Sequence, residues 1–160
     1  MDGIMKDSIS IEDLIPHRGK MMLVEEVIYS DSKSAITAAT VNDRWPTFRD
    51  GSINPLVCIE LVAQTAGVSV GLDELTREGK KQAGKGWIVG IKKASFSIDE
   101  IPVGSRIITE VREMSSSGAY SEVDGRSLVG DTVVLRVVLQ AVRADMDLSF
   151  IMGGTISNSG

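Results

Sequence analysis

The sequence predicts an α+β domain in which β-strands surround one long buried helix. Two observations support this: residues 55–78 carry apolar and small residues at helical spacing, and strand-like segments lie on both sides of them. A chain of 160 residues with 42% hydrophobic content is large enough for one core. We therefore expect one α+β domain over residues 1–150, followed by a flexible tail at residues 151–160.

The first elements are a short helix and a hairpin. Ser10 is a candidate N-cap for a helix that ends before Pro16, and Glu12 and Asp13 are suitably acidic for the first turn. The polar residues 30–33 are typical of a hairpin turn. The strands that this turn joins are expected over residues 22–29 and 34–41.

The long helix is predicted from Pro55 to Glu78, because proline is favoured in a first turn and Gly79 is a natural end. Ala63, Gly67 and Gly71 keep this helix thin, so that other elements can approach it closely. A Gly- and Lys-rich linker follows over residues 80–86. The remaining strands are expected over residues 87–97, 106–114, 119–123 and 132–142.

Composition excludes several classes of function. The net charge of −5 gives no broad attraction for nucleic acid or anionic lipid. The N-terminus lacks a signal-peptide pattern, and Arg136 interrupts the longest apolar run, so we expect a cytoplasmic protein without a membrane span. One cysteine excludes an internal disulfide, and one histidine with one cysteine gives no metal-ligand cluster. No metal is predicted.

Glu60 is the most informative residue, because it places a carboxylate near the start of an otherwise apolar helix, one turn before Gln64. The positive end of the helix dipole and the unpaired first-turn amides are expected nearby. One interpretation is that Glu60 only interacts favourably with the helix dipole, which is the commoner arrangement. The other is that Glu60 is an acid/base group beside a bound carbonyl. The residues alone leave both interpretations open.

Two blocks of sequence add a family resemblance. The first block, residues 14–27, contains Pro16-His17-Arg18. The second block, residues 55–67, begins with Pro55, contains Glu60 and ends in Ala63-Gln64-Thr65-Ala66-Gly67. In this order the blocks resemble the hotdog-fold (3R)-3-hydroxyacyl-carrier-protein dehydratases of fatty-acid synthesis, and most of all the dehydratase-related proteins of aryl-polyene-type lipid pathways. The resemblance covers residues 11–142. It implies an antiparallel sheet wrapped around one central helix.

One departure from the family concerns its catalytic pair. The fatty-acid enzymes carry a histidine in a Gly-His-Phe-Pro loop before the helix, which pairs with the helix glutamate of the partner subunit. The equivalent loop here, residues 42–54, contains no histidine, and His17 is the only one in the chain. Gly19 also replaces a tyrosine that usually follows Pro-His-Arg. The family's histidine–glutamate pair therefore cannot be carried over.

The resemblance implies reversible dehydration of a 3-hydroxyacyl thioester to a 2-enoyl thioester. In this scheme Glu60 is the hydroxyl-side acid/base, Gln64 orients Glu60, and amides near Leu56 and Val57 are oxyanion donors. The substrate would arrive on the phosphopantetheine of an acyl carrier protein or on coenzyme A, with no other cofactor. Two alternatives are a thioesterase and a catalytically impaired, carrier-binding partner in a mixed dimer. We expect a homodimer or a higher assembly, since exposed sheet edges favour pairing.

His17 and the loop residues are the remaining candidates. We favour a structural His17 that hydrogen-bonds backbone, although a histidine is also the usual base for an α proton. Asp50 and Ser52 are candidates for lining the site, but an Asp50 beside Arg49 is more often a solvated pair. Cys58 is predicted to be a core thiol rather than a nucleophile. The segment Gly84-Lys85-Gly86 lacks the spacing of a phosphate-binding loop.

Overall fold

The computed structural model describes residues 9–79 and 86–143. The predicted tail at residues 151–160 and the linker before Gly86 lie outside this part of the chain. Within it, α1 is a single short turn and α2 is the long central helix, and one turn of 3-10 helix precedes the first strand. The elements in chain order are α1 (Ile11–Leu14), the 3-10 turn (Gly19–Met21), β1 (Glu26–Ser30), β2 (Ser34–Thr40), β3 (Ser52–Ile53), α2 (Val57–Glu78), β4 (Gly86–Phe96), β5 (Ile101–Pro102), β6 (Arg106–Ser117), β7 (Tyr120–Val129) and β8 (Thr132–Arg143).

Six of the strands form one antiparallel sheet in the order β1-β2-β6-β7-β8-β4, and β3 pairs with β5 in a separate two-stranded ladder. The helix α2 packs across the inner face of the large sheet. This arrangement confirms the hotdog fold. None of the helices in the described ranges is both long and apolar enough to cross a membrane.

Two glycines allow α2 to approach its neighbours closely. A Cβ on Gly125 of β7 would collide with the side chain of Val62, so the sheet presents a bare backbone where the helix presses against it. A Cβ on Gly71 would collide with the backbone of Leu14, so the end of α1 rests directly on α2. These contacts bury the core face of α2 against the sheet and place the segment after α1 beside the start of the helix.

The first strand is shorter than predicted. The sequence predicted pairing from Met22, but the ladder with β2 begins only where the amide of Glu25 donates to the carbonyl of Ala38 at 3.0 Å. The preceding amides of Leu23 and Val24 donate to a side chain of α2 instead. The helix thus takes over hydrogen bonds that a strand partner would make.

Strands β6 and β7 are longer than predicted, and the two-residue strands β3 and β5 were not predicted. Residues 124–127 are mostly polar, as is typical of a turn, but their side chains alternate between the two faces of the sheet. Arg126 forms an ion pair with Glu110 on the outer face at 2.6 Å. Ser127 is fully buried and hydrogen-bonds to Thr109 at 3.0 Å. Cross-strand pairing therefore extends the strand through residues that lack an apolar pattern.

Candidate active site

Glu60 and His17 meet at the start of α2. The helix presents Glu60 from its first turn, and the segment between α1 and the 3-10 turn carries His17 past it. The imidazole Nε2 lies 3.0 Å from the carboxylate Oε1, and the two side chains are 30% and 32% exposed. The structure thus brings together the only histidine of the chain and the carboxylate singled out from the sequence, although 43 positions separate them.

Gln64 holds Glu60 from one helical turn away. Its Nε2 donates to Glu60 Oε1 at 3.1 Å and to the carbonyl of Met21 at 2.6 Å. Its Oε1 accepts the amide of Leu23 at 3.0 Å and that of Val24 at 3.4 Å. The side chain is fully buried, so every polar group of this amide is used. Gln64 therefore orients Glu60 and also ties the segment that follows His17 to the helix.

The two oxygens of Glu60 differ in their surroundings. Oε1 lies within hydrogen-bond distance of nitrogens from both His17 and Gln64, whereas no described residue hydrogen-bonds to Oε2. When Glu60 is ionised, His17 donates to it through Nε2. The imidazole Nδ1 is buried and has no hydrogen-bond partner among the described residues. The accessible basic atom of the pair is consequently Glu60 Oε2.

Arg18 anchors the N-terminal segment. Its guanidinium donates to the carbonyls of Ile15 at 2.8 Å, His17 at 2.6 Å and Glu12 at 2.9 Å. The structural role expected of His17, hydrogen bonding to backbone, belongs to Arg18 instead. The imidazole faces Glu60 instead, so the backbone hydrogen bond expected of a structural His17 is not made by the described residues. No local pattern indicates this exchange, because both residues lie in the same Pro-His-Arg block.

A cavity of about 370 Å³ extends from this pair between α2 and the sheet. Glu60, Ala63, Gly67 and Val70 line it at spacings of three and four residues, so they share one face of the helix. The small side chains on this face leave room that larger ones would fill. On the sheet, the apolar residues Val111, Val123 and Leu139 line the cavity, together with Glu113 beside Val123.

The amides predicted to be oxyanion donors are already engaged. The amide of Leu56 donates to Asn54 Oδ1 at 2.9 Å, and that of Val57 donates to the carbonyl of Asn54 at 3.2 Å. The Leu56 side chain points into solvent, being 55% exposed, and Val57 is buried in the core. Neither residue lines the cavity of this chain. Asn54 caps the turn before α2, which is why the first-turn amides are not free for a substrate.

The loop candidates also lie away from the cavity. Arg49 and Asp50 pair at 3.4 Å with both side chains 88% exposed, as expected for a solvated pair. Ser52 exchanges backbone hydrogen bonds with Arg49 in a tight hairpin. Asp50 and Ser52 therefore do not join Glu60 within one chain. Thr47 in the same loop has φ 68°, a strained value for a β-branched residue, and its hydroxyl accepts the amide of Asn54 at 3.0 Å.

Cys58 lies on the core face of α2, as predicted. Burial raises the pKa of its thiol to about 12, partly opposed by a hydrogen bond with Ser127. At neutral pH the thiol is protonated and shielded, so it is not a nucleophile. Across the described residues no group of three or more His, Cys, Asp or Glu side chains could hold a metal ion.

The sequence did not indicate the polar groups at the other end of the cavity. Arg143, the last residue of β8, lines the cavity and forms an ion pair with Glu74 of α2. The two residues are 69 positions apart, and neither stands in a recognisable motif. Ser121 of β7 lines the same end.

The chain resembles known proteins along most of its length. Residues 9–152 match the ApeP-like family, described as ApeP dehydratase. The 3-hydroxyacyl-(acyl-carrier-protein) dehydratase FabZ of Wolinella succinogenes is 26% identical over 151 residues, covering 90% of this chain and 99% of that protein. FabZ of Streptococcus sanguinis is 31% identical over 147 residues, covering 83% and 99%. In the solved dehydratase heterocomplex ApeI:P from Xenorhabdus doucetiae, a chain aligns with a TM-score of 0.79 at 18% identity, covering 92% of this chain and 99% of that chain.

Proposed function

The chain belongs to the ApeP-like dehydratase family, and we propose that its Glu60 carboxylate catalyses the reversible dehydration of a 3-hydroxyacyl thioester. One observation carries the proposal. Glu60 Oε1 is within hydrogen-bond distance of His17 and Gln64, while Oε2 has no partner among the described residues, and Glu60 lines an apolar cavity. A carboxylate held by one oxygen is oriented, and its other oxygen is available to a substrate.

In the proposed reaction Glu60 is both base and acid. Oε2 removes the proton from the α carbon, and that electron pair forms the α–β double bond as the β carbon–oxygen bond breaks. The departing hydroxyl takes the proton back from Glu60 and leaves as water, which restores the carboxylate. His17 and Gln64 do not exchange protons with the substrate in this scheme. They position the carboxylate and stabilise its ionised form through hydrogen bonds to Oε1.

The carrier and the assembly belong to the same proposal. The apolar cavity suits an acyl chain, and the FabZ relatives act on substrates held by acyl carrier protein, so we assign the same kind of carrier here. The edge strand β4 exposes Trp87, Val89 and Ile91 at 62%, 59% and 51%. An apolar edge strand of this length is a pairing surface. A second copy or another hotdog subunit would pair there, and light scattering should give at least twice the 17.2 kDa of one chain.

A second candidate is a carrier-binding subunit of a mixed dimer. Two observations favour it: residues 42–54 contain no histidine, and the related ApeI:P structure is a heterocomplex. In that case the partner subunit would supply a further acid/base group, and the isolated chain would be slow. The Glu60 site would still contribute to the complex, so the same variants test both candidates.

The test is hydration of a short 2-enoyl thioester, followed by loss of enone absorbance. Glu60→Gln keeps the shape of the side chain and should lower turnover by about 10²–10⁴-fold with an unchanged melting temperature. Glu110→Gln, on the outer face of the sheet, is the matched control and should retain the wild-type rate. Release of free thiol in the same assay would indicate a thioesterase. A Glu60→Gln variant as fast as wild type would overturn the proposal.

His17→Leu examines the positioning role separately. Losing this contact should lower kcat more than it changes KM, because the carboxylate is less well positioned for the reacting atoms. His17→Gln retains an N–H donor and should recover part of the rate. If His17→Leu instead abolishes turnover and His17→Gln recovers nothing, the imidazole itself transfers the proton.

A further inference from the structure

The cavity reaches Arg143 at the end that lies away from Glu60. Nearer to Glu60 the sheet contributes Val111, Val123 and Leu139, with Glu113 beside Val123. Further along it contributes Ser121, Ala141 and Arg143, next to Trp87 and Ile88 of β4. The strand register explains the order: Leu139 lies opposite Val123, and Ala141 lies opposite Ser121, one step nearer to Arg143. A chain that starts at Glu60 thus meets the guanidinium of Arg143 only at the far end of the cavity.

Arg143 is held at this end of the cavity by α2. Its guanidinium forms an ion pair with Glu74, whose side chain is only 7% exposed. Glu74 follows Glu60 by 14 positions, which is about 21 Å along the helix axis. Because Glu74 is anchored within the helix, the pair is fixed relative to Glu60 rather than free to swing away.

We propose that the Glu74–Arg143 ion pair ends the acyl-binding part of the cavity and sets an upper limit on the length of saturated acyl chains. This inference rests on the proposed function of Glu60. An alkyl terminus pushed against the pair would strip water from a charged group and offer no hydrogen bond in exchange. Chains that stop short of Arg143 avoid this cost, and longer ones incur it.

The test uses the double variant Glu74→Leu/Arg143→Met, which replaces the whole pair with apolar side chains of similar size. Removing both partners leaves neither charge without its counterion. Replacement of a buried ion pair by apolar side chains of similar size is often neutral for stability. Enoyl thioesters from butenoyl to hexadecenoyl are compared by kcat/KM. Wild type should show a sharp fall at the length that reaches Arg143, and the double variant should raise kcat/KM beyond that length by at least about tenfold. Shorter chains should be unaffected.

The matched control is Glu110→Leu/Arg126→Met, which removes an ion pair from the outer face and should leave the length profile unchanged. Ser121→Val is a milder second variant, because a β-branched residue suits a strand, and it should give a smaller gain for the same long chains. If no thioester of any length is turned over, the proposed function fails. If short chains react but neither cavity variant alters the profile, the length limit is overturned while the proposed function stands.

Discussion

Helix α2 carries two glutamates in different surroundings: Glu60 lines the cavity, whereas Glu74 pairs with Arg143, which lines the same cavity. Glu60 is 32% exposed, is contacted through one oxygen by His17 and Gln64, and has no partner among the described residues for the other oxygen. Glu74 is 7% exposed and pairs with Arg143. The more deeply buried carboxylate is thus the one joined to a permanent cation, and the less buried one is free to react.

The difference shows that burial alone does not mark a reactive carboxylate. A buried charge needs a counterion to offset its desolvation, and that counterion also prevents it from acting as a base. Glu60 is held through one oxygen by His17 and Gln64 in a partly open position, which orients it while leaving its other oxygen available to a substrate. The two sites should therefore respond in opposite ways to substitution: changes at Glu60 should affect rate, and changes at Glu74 should affect stability.

The largest effect on stability is expected from breaking the buried pair on one side. Arg143→Met deprives Glu74 of its guanidinium and should lower the free energy of unfolding by about 3 kcal/mol, the lower end for such a pair, since Arg143 is itself 43% exposed. Urea denaturation measures the loss, with Arg126→Met on the outer face as the control. An Arg143→Met variant as stable as Glu60→Gln would erase the contrast between the two glutamates.

The next effect concerns Gln64, which links rate and stability at the Glu60 end. Gln64→Leu has similar volume but leaves the buried amide of Leu23 without its acceptor, so stability should fall by about 2 kcal/mol. Glu60 also loses a donor, and hydration of the enoyl thioester should slow by at least about tenfold. Gln140→Leu is the control, because that side chain hydrogen-bonds to the Tyr120 hydroxyl and to Glu122, away from Glu60. Unchanged rate with reduced stability would make Gln64 purely structural.

Much of the fold could be predicted from the sequence, because the signals were local. The helix from Pro55 to Glu78 has helical spacing, small residues and a glycine stop, and its observed bounds are Val57–Glu78. Glu60 and Gln64 stood out because a carboxylate and an amide one turn apart interrupt an apolar helix. Their hydrogen bond follows from helical geometry, which the sequence already contains.

The remaining parts of the site depend on contacts between distant segments. The approach of His17 to Glu60 follows from the way Arg18 and Gln64 fix the N-terminal segment, and no local pattern encodes that distance. The prediction of free amides at Leu56 and Val57 was wrong for a more local reason. Asn54 occupies both of them, a capping role that its position before Pro55 allows but does not require.

A smaller effect should distinguish the position of the N-terminal segment from the chemistry at Glu60. Gly71→Ala would place a Cβ on the backbone of Leu14, and overpacking of this kind costs about 1–3 kcal/mol. Alanine recovers about 1 kcal/mol of helix propensity, so the net loss should be about 1 kcal/mol. Displacing Leu14 also shifts His17, and kcat should fall.

Gly67→Ala is the comparison for this variant, since its Cβ would meet only a side-chain methyl, Ile15 Cγ2, at 3.1 Å rather than backbone. It should be neutral or slightly stabilising in a thermal melt. If Gly71→Ala were also stabilising and fully active, the close contact between α1 and α2 would have no part in holding the site.

The smallest effect comes from the core face of α2, where Cys58 titrates without touching the cavity. Burial raises the pKa of its thiol from 9.0 to about 12, so the unfolded chain loses this proton at lower pH than the folded chain does. Stability from this group is complete below pH 9 and declines as the pH rises from 9 toward 12, by about 0.8 kcal/mol at pH 9.5. Urea denaturation of wild type and Cys58→Ala at pH 8 and 9.5 isolates the contribution, because all other titrations are shared. The difference between the two proteins should shrink by that amount at the higher pH. A difference independent of pH would mean that the thiol ionises as readily in the folded core as in water, and would contradict the tight packing of this face.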